Sequence, residues 1–222
     1  MIVVYTGPSL SAEKAQAILD AGYADHAVNF DFRSPIARGD LKRIPRNTRA
    51  VGIIDGVFFS DTAVAHKEII AVMQKGVKVF GSSSMGALRA AELAEFGMVG
   101  VGRVYECYRS GRIAADDEVA VTFNPVTGEQ ISEPLVNVRY QLKAAEAAGV
   151  LAAKERHAMI ELAGKIFYPD RTYEYIVARS ADACILPQEK ADRLLAFVKD
   201  KPLNLKAEDA VLLLNRLKEM TV

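Results

Sequence analysis

Short apolar runs that end on turn residues and pass into helix-period segments fill the first half of this chain, and they restrict it to few folds. Ile2-Val3-Val4-Tyr5 ends at Gly7-Pro8, and Ser11 is placed to cap a helix carrying Ala15, Ile18 and Leu19 on one face. Ala27-Val28-Asn29-Phe30 reads as a second strand and Ala50 to Ile54 as a third, closed by Asp55-Gly56. Ser60 or Asp61 would cap a helix reaching Lys75, where Gly76 stops it. Val77 to Phe80 reads as a fourth strand, followed by the small-residue turn Gly81 to Gly86 and a helix to Gly97. Strands that alternate with helices pair in parallel through crossover connections. The expected class is therefore α/β, with a mostly parallel N-terminal sheet and crossover helices. Val119 to Phe123 would add a late strand.

The pattern changes near Glu133. Pro134 to Ala148, Ala152 to Ile166, Tyr173 to Arg179, Gln188 to Lys199 and Ala207 to Met220 read as helices, separated by Gly149, Pro169, Pro187 and Pro202. The division expected is an α/β core over residues 1–133 and a helical region over 134–222 that packs on it. The helical half serves as a core layer or as a surface for homo-oligomer formation.

Charge excludes some functions. Lys+Arg and Asp+Glu both number 28, and no polybasic run occurs, so no nucleic-acid partner is expected. No apolar run approaches the roughly 20 residues of a membrane span, so no membrane partner is expected either. The two cysteines, Cys107 and Cys184, share no motif spacing, which fits a reduced, cytoplasmic setting. Three histidines without metal-ligand spacing give no metal site, and no cofactor is called for. Gly97, Gly100 and Gly102 lack the order of a dinucleotide-binding turn, and the serine turn lacks the Gly-Lys-Ser/Thr ending of a Walker A loop.

The most informative stretch is Gly81-Ser82-Ser83-Ser84-Met85-Gly86, between a strand and a helix. A nucleophile elbow has this layout, with small residues two before and two after the nucleophile. Centred on Ser84, the pattern places Ser82 and Gly86 at those positions; centred on Ser83, it places Gly81 and the bulkier Met85 there. The backbone N–H groups of Met85 and Gly86 then face an oxyanion at the positive end of the helix dipole. Two plainer readings stand beside this one: Ser84 as an N-cap, and the turn as a phosphate cradle.

A serine needs a base. Loops that follow neighbouring parallel strands gather at one edge of the sheet, which brings His66, Lys67 and Asp55 into range. On a helix, Ala65, Ile69, Val72 and Met73 form the buried stripe; His66 borders it and Lys67 lies on the far side, so periodicity favours His66 as the inward group. Arg89 and Glu92 are spaced to pair; the alternative for Arg89 is binding a substrate carboxylate tail. Asp116-Asp117-Glu118 reads as a solvated turn ahead of a strand rather than a metal site.

Several segments together resemble the TfuA-like family. They are Gly7-Pro8-Ser9-Leu10, Arg38-Gly39-Asp40-Leu41, Ile54 to Phe58, His66-Lys67-Glu68-Ile69, Gly81 to Leu93, Gly97 to Gly102 and Asp116 to Val121. The resemblance implies a protein that accompanies a YcaO-type enzyme in peptide backbone thioamidation. It implies hydrolysis of the C-terminal thiocarboxylate of a ThiS-like, ubiquitin-fold sulfur carrier, and an unusual topology. Carried onto matching positions, the family's serine–lysine pair falls on Ser84 and Lys67. The candidate oxyanion and substrate-binding residues read from the sequence itself are Met85, Gly86, Ser83, Asp55 and Arg89. A non-catalytic adaptor that promotes peptide binding by the YcaO enzyme is the alternative.

Overall fold

The computed structural model describes residues 1–21, 29–58, 61–124 and 126–220. The chain forms two compact units, Met1–Asp116 with Lys206–Val222, and Asp117–Leu205.

In the first unit the strands are β1 (Ile2–Tyr5), β2 (Phe30–Arg33), β3 (Ala50–Ile53), β4 (Lys78–Ser82) and β5 (Val99–Val101). They form one five-stranded sheet in the order β2-β1-β3-β4-β5, and every pairing is parallel. The α/β expectation holds. Three details differ. β2 begins where the expected second strand ends, and Ala27 and Val28 lie outside the described residues. β5 comes from the glycine-rich stretch after Gly97, whose alternation is too short to read. Val119–Phe123 is not a strand; a 3-10 turn covers Asp116–Glu118 and Phe123 makes only an isolated bridge to Gln130.

Side-chain alternation sorts the core onto two faces of the sheet. Val3, Tyr5, Val51, Ile53 and Val79 pack with Ile69 and Val72 of α2 (His66–Met73) and with Met85 and Ala90 of α3 (Met85–Glu92). Ile2, Val4, Ala50 and Phe80 face the other way, with Ala15 of α1 (Ala12–Asp20). The same face carries Leu213, Leu214 and Leu217 of the last helix (Leu205–Glu219). That helix packs closely because Gly52 has no side chain: a Cβ there would stand 2.7 Å from Leu217 Cδ1. Ser11 caps α1, accepting from the Lys14 amide as expected. By contrast, α2 begins only at His66, with Ala65 at its N-cap and no side-chain cap; Asp61 lies in a turn before it, and Ser60 is outside the described residues.

The last helix also ties the carboxyl edge together. The buried Asp209 carboxylate accepts from the Arg103 and Val104 amides at 3.0 and 2.7 Å. It thereby caps α4 (Arg103–Arg109) from a remote part of the chain. Burial pushes the Asp209 carboxyl above its ordinary value, while those two amides pull it back.

The second unit is helical: α5 (Leu135–Ala147), α6 (Ala153–Lys165), α7 (Tyr173–Asp182) and α8 (Gln188–Asp200). Leu142, Met159, Ile176 and Leu194 lie at its centre. Its acidic residues are not a solvated turn: Glu118 is buried and ion-paired with Arg139, and Asp117 pairs with the fully buried Arg171. Among the described residues no helix is long and apolar enough to cross a membrane.

Candidate functional site

The strand order places a reversal of winding between β1 and β3, since the chain builds outward from β1 to β2 and then outward on the other side through β3, β4 and β5. In open parallel sheets this is where the carboxyl ends of the strands leave a crevice. Two loops meet there. Asp55, just after β3, is buried and accepts the Ser9 hydroxyl at 2.6 Å and the Ser9 amide at 3.0 Å. Asp55 thus holds the loop after β1.

The serine turn occupies the same edge at the end of β4. Ser82 is anchored, its hydroxyl donating to the Asp209 carbonyl at 2.9 Å. The Ser84 amide donates to the Ser82 carbonyl at 2.7 Å, which closes a γ-turn over Ser83. Ser83 has φ +66°, a left-handed conformation that costs an L-residue about 1–2 kcal/mol. Its hydroxyl is buried and without a hydrogen-bond partner. Strain and an orphaned hydroxyl therefore coincide on Ser83, where only sequence pattern had favoured a centre at Ser84.

Ser84 stands at the N-cap of α3 but does not cap it with its side chain. Its carbonyl takes the Ala87 and Leu88 amides, at 2.9 and 3.2 Å. The plain N-cap reading of the hydroxyl is thereby overturned. Ser84 is 2% exposed. The Gly86 amide, expected as an oxyanion donor, instead donates to the Ile54 carbonyl at 3.3 Å. Met85 keeps its amide in the first helical turn, where N–H groups lack intrahelical acceptors. Its side chain lies directly against Gly56, where a Cβ would stand 2.7 Å from Met85 Cγ.

The two candidate bases are on the first turn of α2, and both are exposed. His66, expected to point inward, pairs its Nε2 with Glu92 Oε2 at 2.7 Å. Ala63 and Val64 just before the helix and Ile69 within it are buried, so the core reaches the start of α2 and His66 lies on its exposed side. Arg89 forms the expected pair with Glu92 at 2.6 Å and also donates to the Val64 carbonyl at 3.2 Å. His66, Arg89 and Glu92 are thus one polar cluster joining α2 to α3. The described hydrogen bonds and ion pairs include none between Lys67 and Ser84.

Replacing Ser83 by alanine keeps the backbone demand but removes the buried hydroxyl. We expect Ser83→Ala to be more stable by about 1 kcal/mol in urea unfolding. A loss of stability would show that the hydroxyl has a partner.

Fold and turn together define a doubly wound α/β protein that carries three consecutive serines on a strand-to-helix corner at its carboxyl edge. The family model for TfuA-like protein matches residues 55–172, which is 118 of the 222 residues, and the chain belongs to the TfuA-like family. The matched stretch takes in Asp55, α2, the serine turn and most of the helical unit as far as Thr172. No curated protein matches the chain.

Proposed function

We propose that this protein works beside a YcaO-type enzyme in peptide backbone thioamidation, as a cytoplasmic serine hydrolase that frees sulfide from the thiocarboxylated C-terminus of a ThiS-like carrier. The observation that supports this reading most is the serine turn itself, three consecutive serines at a strand-to-helix corner on the carboxyl edge of the sheet. Ser84 attacks the thiocarboxyl carbon; the C–S bond breaks, hydrosulfide leaves, and the carrier is held as a serine ester. Water then cleaves the ester and returns the carrier carboxylate, with Lys67 taking the proton. The Met85 amide and the N-terminus of α3 stabilise the negative oxygen. The slight exposure of Ser84 suits a slender, extended tail that docks over α2.

The second reading is an adaptor without chemistry, which promotes peptide binding by the YcaO enzyme. It is favoured by the contrast between a buried Ser84 and an exposed Lys67. Sulfide release from a thiocarboxylated carrier separates the two. Ser84→Ala is expected to lower the rate by about a thousandfold or more, and Lys67→Ala by a comparable factor. His66→Ala should leave most activity, because its partner is Glu92. Unchanged release by Ser84→Ala leaves only the adaptor, and loss with His66→Ala alone moves the base to the histidine.

A further inference from the structure

The opposite edge of the sheet carries a second site. A cleft of about 390 Å³ opens there between the segment before β3 and the turn joining α2 to β4. That volume lies at the lower end of the range for small pockets. Its floor is aliphatic, made by Leu41, Ile44, Val72 and Val77, and its rim carries Lys42, Arg46 and Lys75. All three rim cations are exposed.

The charge around the cleft is segregated in a way that the linear sequence hides. Residues 41–54 and 69–80 contain no Asp or Glu, yet they hold six cations: Lys42, Arg43, Arg46, Arg49, Lys75 and Lys78. The parallel register brings the two stretches together, with Ala50 opposite Lys78 and the Lys78 amide donating to the Arg49 carbonyl at 3.2 Å. Of the six cations, Arg43 is ion-paired, to Asp40. A neutral chain therefore presents one strongly positive edge around an apolar hollow. This edge is separated from the serine turn by the length of β4, about 16 Å for five residues.

The geometry points to a docking site for an acidic polypeptide segment that inserts one apolar side chain between the rim cations. Three features select this occupant. The cations extend past the cleft along the segments flanking it, which suits an extended chain better than a small anion. The floor is aliphatic and takes a leucine-like side chain. No aromatic residue lines the cleft to stack on a base, which disfavours single-stranded nucleic acid. The site does not rest on the hydrolase reading, and Ser84→Ala leaves it intact.

Fluorescence anisotropy with the full-length protein tests it. The probe is a fluorescein-labelled peptide of glutamates and aspartates around a central leucine, compared with the same peptide carrying glycine in its place, with a labelled oligo-dT and with phosphatidylserine vesicles. The leucine peptide should bind with an affinity that falls as salt rises. The glycine peptide should bind about tenfold more weakly, from the lost apolar burial. The triple variant Lys42→Glu/Arg46→Glu/Lys75→Glu, with circular dichroism like the wild type, should bind at least about tenfold more weakly. The milder pair Lys42→Ala/Lys75→Ala should fall between them. The proposal is overturned if the leucine peptide does not bind at low salt, if the charge-reversed protein binds it as well as the wild type, or if oligo-dT or vesicles bind more tightly than the peptide.

Discussion

Gly86→Ala should abolish stable folding. A Cβ at position 86 would stand 1.7 Å from the Ile53 carbonyl oxygen and 2.6 Å from its carbon. Both are backbone atoms of a central strand, so no change of rotamer relieves the contact. The Gly86 amide is held just past the end of that strand by its bond to the Ile54 carbonyl. Gly81 repeats the arrangement one layer on, where a Cβ would meet the Gly86 carbonyl oxygen at 2.0 Å. These two glycines press the serine turn into the sheet, which is why the corner is so tight. Separating β3 from α3 costs about 4 kcal/mol or more, comparable to the whole stability of a small domain. Urea unfolding of Gly86→Ala beside Gly164→Ala is the measurement. Gly164 is in α6 with its nearest neighbour at 3.6 Å, so alanine there should be tolerated or slightly stabilising, by about 0.5–1 kcal/mol. Equal stability of the two variants would mean that the close packing is wrong.

The helical unit has its own single point of failure. Arg171 is fully buried, and its guanidinium donates to the carbonyls of Ala163, Ile166 and Asp117 and to the Asp117 carboxylate, at 2.8–3.1 Å. Its carbonyl in turn takes the Glu133 amide at 2.6 Å. One side chain thus fastens the end of α6 to the start of the unit. Arg171→Leu fills much of the space but leaves those acceptors without donors. It should destabilise the protein by about 3–5 kcal/mol, discounted toward the lower figure because the Asp117 carboxylate is partly solvated. Arg171→Lys restores the charge without the fork and should recover only part of the loss. Unfolding monitored by circular dichroism checks both. A Leu variant as stable as the wild type would show that water satisfies the acceptors.

The parallel sheet was legible because its inner strands are short β-branched runs bounded by Gly, Pro and Asp, and the long helices because Pro and Gly punctuate them. β5 was not legible: Val99-Gly100-Val101 is too short for a period-two signal, and it forms because β4 offers an unpaired edge. Arg171 gave no signal either, since a lone arginine after Pro169-Asp170 looks like a solvated loop. The serine turn was found from its small residues, but the strained centre was not. Pattern rules weigh side-chain size, and Gly86 satisfied them at the position that favours Ser84. The positive φ fell on Ser83, one residue earlier, because the Ser82 carbonyl takes the Ser84 amide. The inward placement of His66 failed for a different reason. Periodicity puts His66 only at the border of the buried stripe, and there it lies exposed, paired with the Glu92 carboxylate of α3.

The most direct test of the serine mechanism is intact-mass spectrometry of the protein mixed with a thiocarboxylated ThiS-like carrier and quenched in acid. The expected species is an ester of the two proteins, with the mass of their sum less one hydrogen sulfide, accumulating in Lys67→Ala and mapping by digestion to Ser84. Turnover without any such adduct, or an adduct that persists in Ser84→Ala, would contradict attack by that hydroxyl.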